Sequence, residues 1–332
     1  MRHDLATACL TFSLMSSLMA AQSAIADPSV KELAARTEVR PIETLTLTDR
    51  QFLTGDKGAA KAAVIAGELR LPQGASGRLP AVVLMHGSGG AGAREEFWSK
   101  IFNEMGVASF VVDSFSGRGL TSVSANQALL GRFNMILDAY RAHATLSAHP
   151  RIDRSRIVLM GFSRGGQSTL YASLKRFHQA WDPEVAFASY IPLYASCNPT
   201  LIGDTDVSSV PIRMFHGAAD DYVPVAPCRA YVERLRAAGR DAQLTEFADA
   251  HHGYDNPLGG KVPAVAANAQ SVRACKLKEE APGAIVNAET GQPFSYKDPC
   301  VALNPHTGYN EAAAQATQTA VKDLLRTVFK LN

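Results

Sequence analysis

The chain has 332 residues, 46% of them hydrophobic and 19% charged, with a formal net charge of +2. That length supplies a full hydrophobic core, in one large domain or two small ones. A charge balance this close to neutral, with Lys and Arg scattered along the chain, argues against a nucleic-acid partner, which calls for a basic stripe or patch.

Residues 1–26 read as a secretory signal peptide. Arg2 gives the positive start, Leu10 to Ala21 is apolar and uncharged, and Ala24-Ile25-Ala26 forms a small-x-small cleavage site. The apolar run falls far short of the ~20 residues that span a bilayer. We therefore expect a mature chain that starts at Asp27, carries no membrane anchor and works in the periplasm or outside the cell. Cleavage removes Cys9 and leaves Cys197, Cys228, Cys275 and Cys300. An even count in an exported chain implies two disulfides, with three connectivities open. The favoured pairing is Cys197–Cys228 with Cys275–Cys300, each loop of about 25–30 residues contributing roughly 3–4 kcal/mol in the chain-entropy description. No Cys-x-x-Cys or His-x-His pair accompanies these cysteines, which argues against zinc.

After a lead-in at 27–37, expected to be mobile or weakly helical, strand-like stretches run from Val39 to Leu47 and from Ala63 to Leu71. Leu79 to Met85 is nearly continuous in apolar residues, as in a strand buried on both faces. Next come a helical pattern from Arg94 to Met105, a strand from Val107 to Val112 and a long helical periodicity from Ser124 to Ser147. Arg156 to Met160 reads as a strand and Gly165 to Phe177 as a helix. Three more strands are expected at Val185 to Leu193, Val210 to Phe215 and Ala242 to Phe247, with a helix from Ala226 to Ala238 between the last two. A closing amphipathic helix runs from Ala312 to Phe329. Strands alternating with helices at this spacing imply an α/β fold with a mainly parallel sheet covered on both faces. The stretch 253–310 has few periodic apolar residues and two cysteines; a loop that long is functional or disordered, and a disulfide argues against disorder.

Gly161-Phe162-Ser163-Arg164-Gly165 follows the Arg156 strand. Gly-x-Ser-x-Gly between a strand and a helix is the pattern of a nucleophile elbow, a turn so tight that side chains at its glycines would collide with neighbouring backbone. Asp220 and then His252 follow later, both after strands, and Ser-Asp-His is the chain order of an α/β-hydrolase. Asp221, Asp249 and His251 compete for the acid and base roles at this point. In a parallel sheet, loops at the carboxyl ends of strands gather on one edge. His86–Gly90, Asp113–Gly119, Ser163, Asp220 and His252 all fall in such loops. A serine needs a base, and the base needs an acid that fixes its tautomer. The backbone N–H groups of Arg164 and Ser88 are the expected oxyanion donors. No metal or organic cofactor is implied.

The motifs His86-Gly87-x-Gly89-Gly90, Asp113-Ser114-Phe115-x-Gly117-Arg118-Gly119, Gly161-Phe162-Ser163-x-Gly165-Gly166, Gly217-x-x-Asp220-x-x-Val223-Pro224 and His252-Gly253-Tyr254 together resemble the dienelactone hydrolase family of α/β-hydrolases, in its exported serine forms. The resemblance implies the α/β-hydrolase fold, with Asp220 and His252 completing a triad with Ser163. The enzymes that name the family use cysteine as nucleophile, so their lactone substrate does not carry over to a chain with serine at 163. Arg118, with a structural ion pair as its alternative role, and Tyr254 are candidate substrate contacts. Tyr254, Phe294, Tyr296 and Tyr309 are candidate pocket walls in the insertion. The expected activity is hydrolysis of a small carboxylic ester through an acyl-enzyme. The alternatives are an amidase or peptidase resembling prolyl oligopeptidase relatives, and a non-catalytic binding protein on the same fold.

Overall fold

The computed structural model describes residues 34–331, so the expected signal peptide lies outside the described residues. The main sheet has eight strands: β1 (Ala34–Thr46), β2 (Lys61–Pro72), β3 (Leu79–Met85), β4 (Ala108–Asp113), β5 (Ile152–Phe162), β6 (Tyr190–Leu193), β7 (Ile212–Gly217) and β8 (Ala242–Phe247). Their spatial order is β1-β2-β4-β3-β5-β6-β7-β8. β2 pairs antiparallel with β1 and with β4, and every other pairing in the sheet is parallel.

β3 shows why the sheet is covered on both sides. All seven of its residues are buried. Ala81, Val83 and Met85 join one core cluster, and the alternate residues Val82 and Leu84 join the other, as the two-residue period of a strand requires. The first cluster is closed by α3 (Asn134–Ser147) through Tyr140 and Leu146, and by α6 (Ala226–Ala237) through Tyr231 and Leu235. The second is closed by α2 (Ala93–Glu104) through Trp98 and Phe102, and by α7 (Glu311–Phe329) through Val321, Leu325 and Phe329.

Four expectations change. β1 starts at Ala34, within the supposed lead-in. A short helix, α1 (Asp49–Thr54), follows it, opened by a Thr48–Gln51 capping box and closed by Gly55 in the left-handed region. The periodicity from Ser124 to Ser147 is not one helix: a 3-10 turn at Gln127–Leu129 precedes α3. The break falls at Gly131, where a Cβ would sit 2.4 Å from the Leu47 carbonyl oxygen, so chain crosses chain there too closely for any side chain. Likewise Gly165 to Phe177 divides into α4 (Arg164–Tyr171) and α5 (Lys175–Trp181). Between them Leu174 forms a β-bridge to Val207, and Ser208 N–H donates to the Ser173 carbonyl, which draws the chain out of the helix.

Both disulfides pair as expected, Cys197–Cys228 and Cys275–Cys300. The stretch from Gly253 to Asn310 has its own small strands. One of them, Leu277–Ala281, runs parallel to Pro199–Thr200, and Asn198 donates to the carbonyls of Val272 and Cys275. Among the described residues, no helix is long and apolar enough to cross a membrane.

Candidate active site

Ser163 stands at the turn from β5 into α4, at φ 54° and ψ −113°. A left-handed φ on a non-glycine residue costs about 1–3 kcal/mol and persists only where its surroundings enforce it. Here the enforcement is steric. A Cβ on Gly165 would lie 2.2 Å from the Met85 carbonyl oxygen, so α4 begins directly against the end of β3. The serine hydroxyl therefore has to project from the sheet edge.

Ser163 Oγ lies 2.8 Å from His252 Nε2, and His252 Nδ1 lies 2.8 Å from Asp220 Oδ2. With hydrogen on Nδ1, the imidazole donates to the carboxylate and accepts from the serine hydroxyl. The other Asp220 oxygen accepts from the N–H groups of Tyr222 and Val223, at 2.9 and 2.8 Å. Burial alone would raise the Asp220 carboxyl; the charge and hydrogen bonds of His252 and His216 outweigh it and hold the group below the usual carboxylate range. His216 Nε2 also donates to the Val223 carbonyl at 2.7 Å, which ties the loop after Asp220 to β7. The His252 ring lies between Tyr194 and Tyr222, with centroids 4.8 and 4.6 Å away. Tyr194 is fixed in turn by its hydroxyl, which donates to the buried Asp255, as does Trp98 Nε1.

Of the rival residues, Asp221 is occupied elsewhere. Asp221 accepts from the backbone N–H and ring Nδ1 of His306 and from Arg273. His251 takes no part in the serine–histidine–aspartate chain. The backbone N–H groups of Ser88 and Arg164, the expected oxyanion donors, have no acceptor among the described residues. Side chains hold both residues in place. Gln127 bonds to the Ser88 hydroxyl and to Arg164 Nη1, and Arg164 Nη2 also reaches the carbonyls of Leu130 and Gly131.

Two tentative substrate contacts are corrected. Arg118 forms a two-pronged ion pair with Asp138, both contacts 2.8 Å, and also bonds to Thr46 and to the carbonyls of Leu45 and Ser114. Its side chain is 3% exposed and lines no part of the cleft. Tyr254 is fully buried, its hydroxyl against Thr317 Oγ1 and its ring against Tyr194 and Phe247. Gly253, at φ +70°, turns the chain so that Tyr254 points into the core.

Two spaces meet at Ser163. One is a narrow lobe of about 50 Å³, lined by Ser88, Gln127, Arg164, Tyr222, Gln270 and Tyr296 among others. The second is a cleft of about 320 Å³ bounded by the glycine-rich loop from Gly87 to Gly92, by His252 and by Leu258. Gln270, Tyr296 and Leu258 come from the long stretch after His252, which therefore borders the site as expected. Of its candidate wall aromatics, Tyr296 lines the narrow lobe and Phe294 a neighbouring cavity. Tyr222 could have been found from its place inside the Gly-x-x-Asp-x-x-Val-Pro motif. Gln127 and Arg132 carried no sequence signal, because both lie in a stretch that reads as helix.

The family model described as phospholipase/carboxylesterase matches residues 123–258, which include Ser163, Asp220 and His252. No curated protein matches the chain. Among solved structures, a dienelactone hydrolase-like promiscuous phosphotriesterase from metagenomic libraries is similar at 18% identity and TM-score 0.56, over 88% of this chain and 98% of that one. An alpha/beta hydrolase enzyme from a Medee basin deep-sea metagenome library is similar at 15% identity and TM-score 0.51, over 89% and 99%.

Proposed function

From the premise that the chain has the α/β-hydrolase fold, similar to that of a dienelactone hydrolase-like enzyme, we propose that it hydrolyses a small carboxylic ester through an acyl-enzyme on Ser163. The observation that carries this reading is the continuous hydrogen-bonded line from Ser163 Oγ through His252 to Asp220, opening on a cleft. The match to a phospholipase/carboxylesterase family over the segment holding all three residues supports it.

The proposed steps make use of that geometry. Ser163 Oγ attacks the ester carbonyl carbon while its proton passes to His252 Nε2. Asp220, held ionised, keeps the ring in its tautomer and stabilises the imidazolium. Charge on the carbonyl oxygen is met by the N–H groups of Ser88 and Arg164. The C–O bond to the alcohol breaks as Nε2 returns the proton to the departing oxygen. Water then repeats the sequence on the acyl-enzyme, releasing the acid and restoring Ser163. Because His252 must reach the leaving oxygen, and His252 lines the wider cleft, the alcohol portion belongs there and the acyl portion in the narrow lobe.

Export belongs to the same proposal. Two disulfides suit an oxidising compartment, and cleavage after Ala26 would give a mature chain starting at Asp27, which N-terminal sequencing of secreted protein tests. The activity test sets p-nitrophenyl esters beside matched anilides, with a fluorophosphonate probe for Ser163. We expect ester turnover well above anilide turnover and loss of labelling in Ser163→Ala. Anilide turnover equal to ester turnover would make the enzyme an amidase, and an unlabelled wild type would remove the serine mechanism.

A further inference from the structure

The narrow lobe ends at two side chains that also border a different space. Arg132 and Tyr296 line the lobe of about 50 Å³ beside Ser163. They also line a separate cavity of about 450 Å³, whose other walls include the apolar Leu47, Leu129, Leu130 and Phe294 and the charged Asp49 and Lys61. A single buried water needs about 10–15 Å³ on this scale, so the lobe takes a group of a few heavy atoms. The outer cavity has room and apolar wall enough for an alkyl chain.

We propose that Arg132 and Tyr296 form the end wall of the acyl pocket and restrict the enzyme to short acyl groups, of acetyl to propionyl size. This rests on the ester-hydrolase reading above. The wall is a cation held by aromatic faces. The Arg132 guanidinium carbon lies 4.8 Å from the Phe294 ring centroid and 5.5 Å from that of Tyr296, and its side chain is 2% exposed. The nearest carboxylate oxygen, Asp49 Oδ2, is 3.9 Å away, and Nε and Nη2 have no hydrogen-bond partner among the described residues. An arginine placed this way is kept by the two rings of the insertion, an attraction of about 2 kcal/mol when desolvated. Phe294 and Tyr296 also pack edge to face on each other, at 5.4 Å, just before the disulfide-bonded Cys300. A long acyl chain would have to push aside a buried cation and the ring that covers it. Removing the Tyr296 ring joins lobe and cavity into one channel from Ser163.

The test compares kcat/KM for p-nitrophenyl acetate, butyrate and octanoate in the full chain, with active Ser163 counted by fluorophosphonate labelling. Wild type should favour acetate. Tyr296→Ala should raise the octanoate-to-acetate ratio at least about tenfold, the scale on which pocket contacts discriminate, and Tyr296→Phe should leave the ratio unchanged. Adding Leu129→Trp, which narrows the outer cavity, should reduce the gain in Tyr296→Ala. If Tyr296→Ala fails to fold, Tyr296→Leu tests the same loss of ring with less loss of volume, and its ratio should rise too. A labelled wild type that prefers octanoate, or labelled Tyr296→Ala and Tyr296→Leu with the wild-type ratio, would overturn the wall while leaving the hydrolase reading intact. An unlabelled wild type would overturn both.

Discussion

Replacing Arg118 with methionine separates a structural role from a substrate-binding one. The substitution keeps much of the apolar stem and deletes five hydrogen bonds, two of them to Asp138. Asp138, whose side chain has no exposure, then keeps one donor among the described residues, Thr44 Oγ1 at 2.8 Å. Removing one partner of a buried pair costs about 3–5 kcal/mol, because the remaining charge is stranded away from water. At about 2–4 °C per kcal/mol, the melting temperature should fall by roughly 6–20 °C. The double substitution Arg118→Met/Asp138→Leu should recover a large part of that loss, since the stranded charge is gone. Urea unfolding of wild type, Arg118→Met, Asp138→Leu and the double variant gives the coupling energy, and ester kinetics on the folded variants give KM, expected within about twofold of wild type because Arg118 lines no part of the cleft. A tenfold rise in KM with a stability change below about 1 kcal/mol would refute this account and return Arg118 to the substrate.

Ser163→Ala should lower kcat on the order of 10⁶-fold without unfolding the protein, measured by ester turnover at matched active concentration; retention of a tenth of the activity would end the serine mechanism. Asp220→Asn should lower kcat by about 10⁴-fold, through the wrong histidine tautomer, with KM little changed, and a loss under about tenfold would place the orienting acid elsewhere. Gly165→Ala should destabilise the protein and impair catalysis together, because its Cβ would meet the Met85 and His86 carbonyl oxygens at 2.2 and 2.5 Å; a fully active, equally stable variant would mean the elbow is looser than described. His143, packed on Phe187, is pushed down to about 4 by burial. Its folded-state pKa is depressed, so the stability it carries is present above about 6.5 and lost as pH falls through 4, a contribution of about 3 kcal/mol. Urea unfolding at pH 7 and at pH 4 should show a smaller acid loss in His143→Gln than in wild type, and equal losses would discount this histidine.

Ser163, Asp220, His252 and the parallel strands were legible because each is written in local rules. A strand buried on both faces must be apolar throughout, and an elbow tolerates only glycine where backbone touches backbone. What stayed hidden depends on distant partners. Nothing near Arg118 announces Asp138 on α3, and nothing in His252-Gly253-Tyr254 announces that Tyr254 turns inward to Thr317. Gln127 and Arg132 sit in a stretch whose helical period is cut by the Leu47 carbonyl, contributed from β1's end of the chain. The capping box before α1 was readable in Thr48 and Gln51, but six helical residues between two strands leave too short a period to stand out.

The neighbouring aspartates of one turn divide two duties. Asp220 serves the imidazole, while Asp221 grips His306 and Arg273 of the stretch that follows it. That stretch is consequently not an interchangeable module. A graft that swapped it for a shorter connection would strand Asp221 and release the turn that aims Asp220. Shape changes around the cleft would then be inherited by Asp220 and His252. Exchanges that keep Arg273 and His306 fixed are the ones through which new specificities can be built without slackening the chemistry.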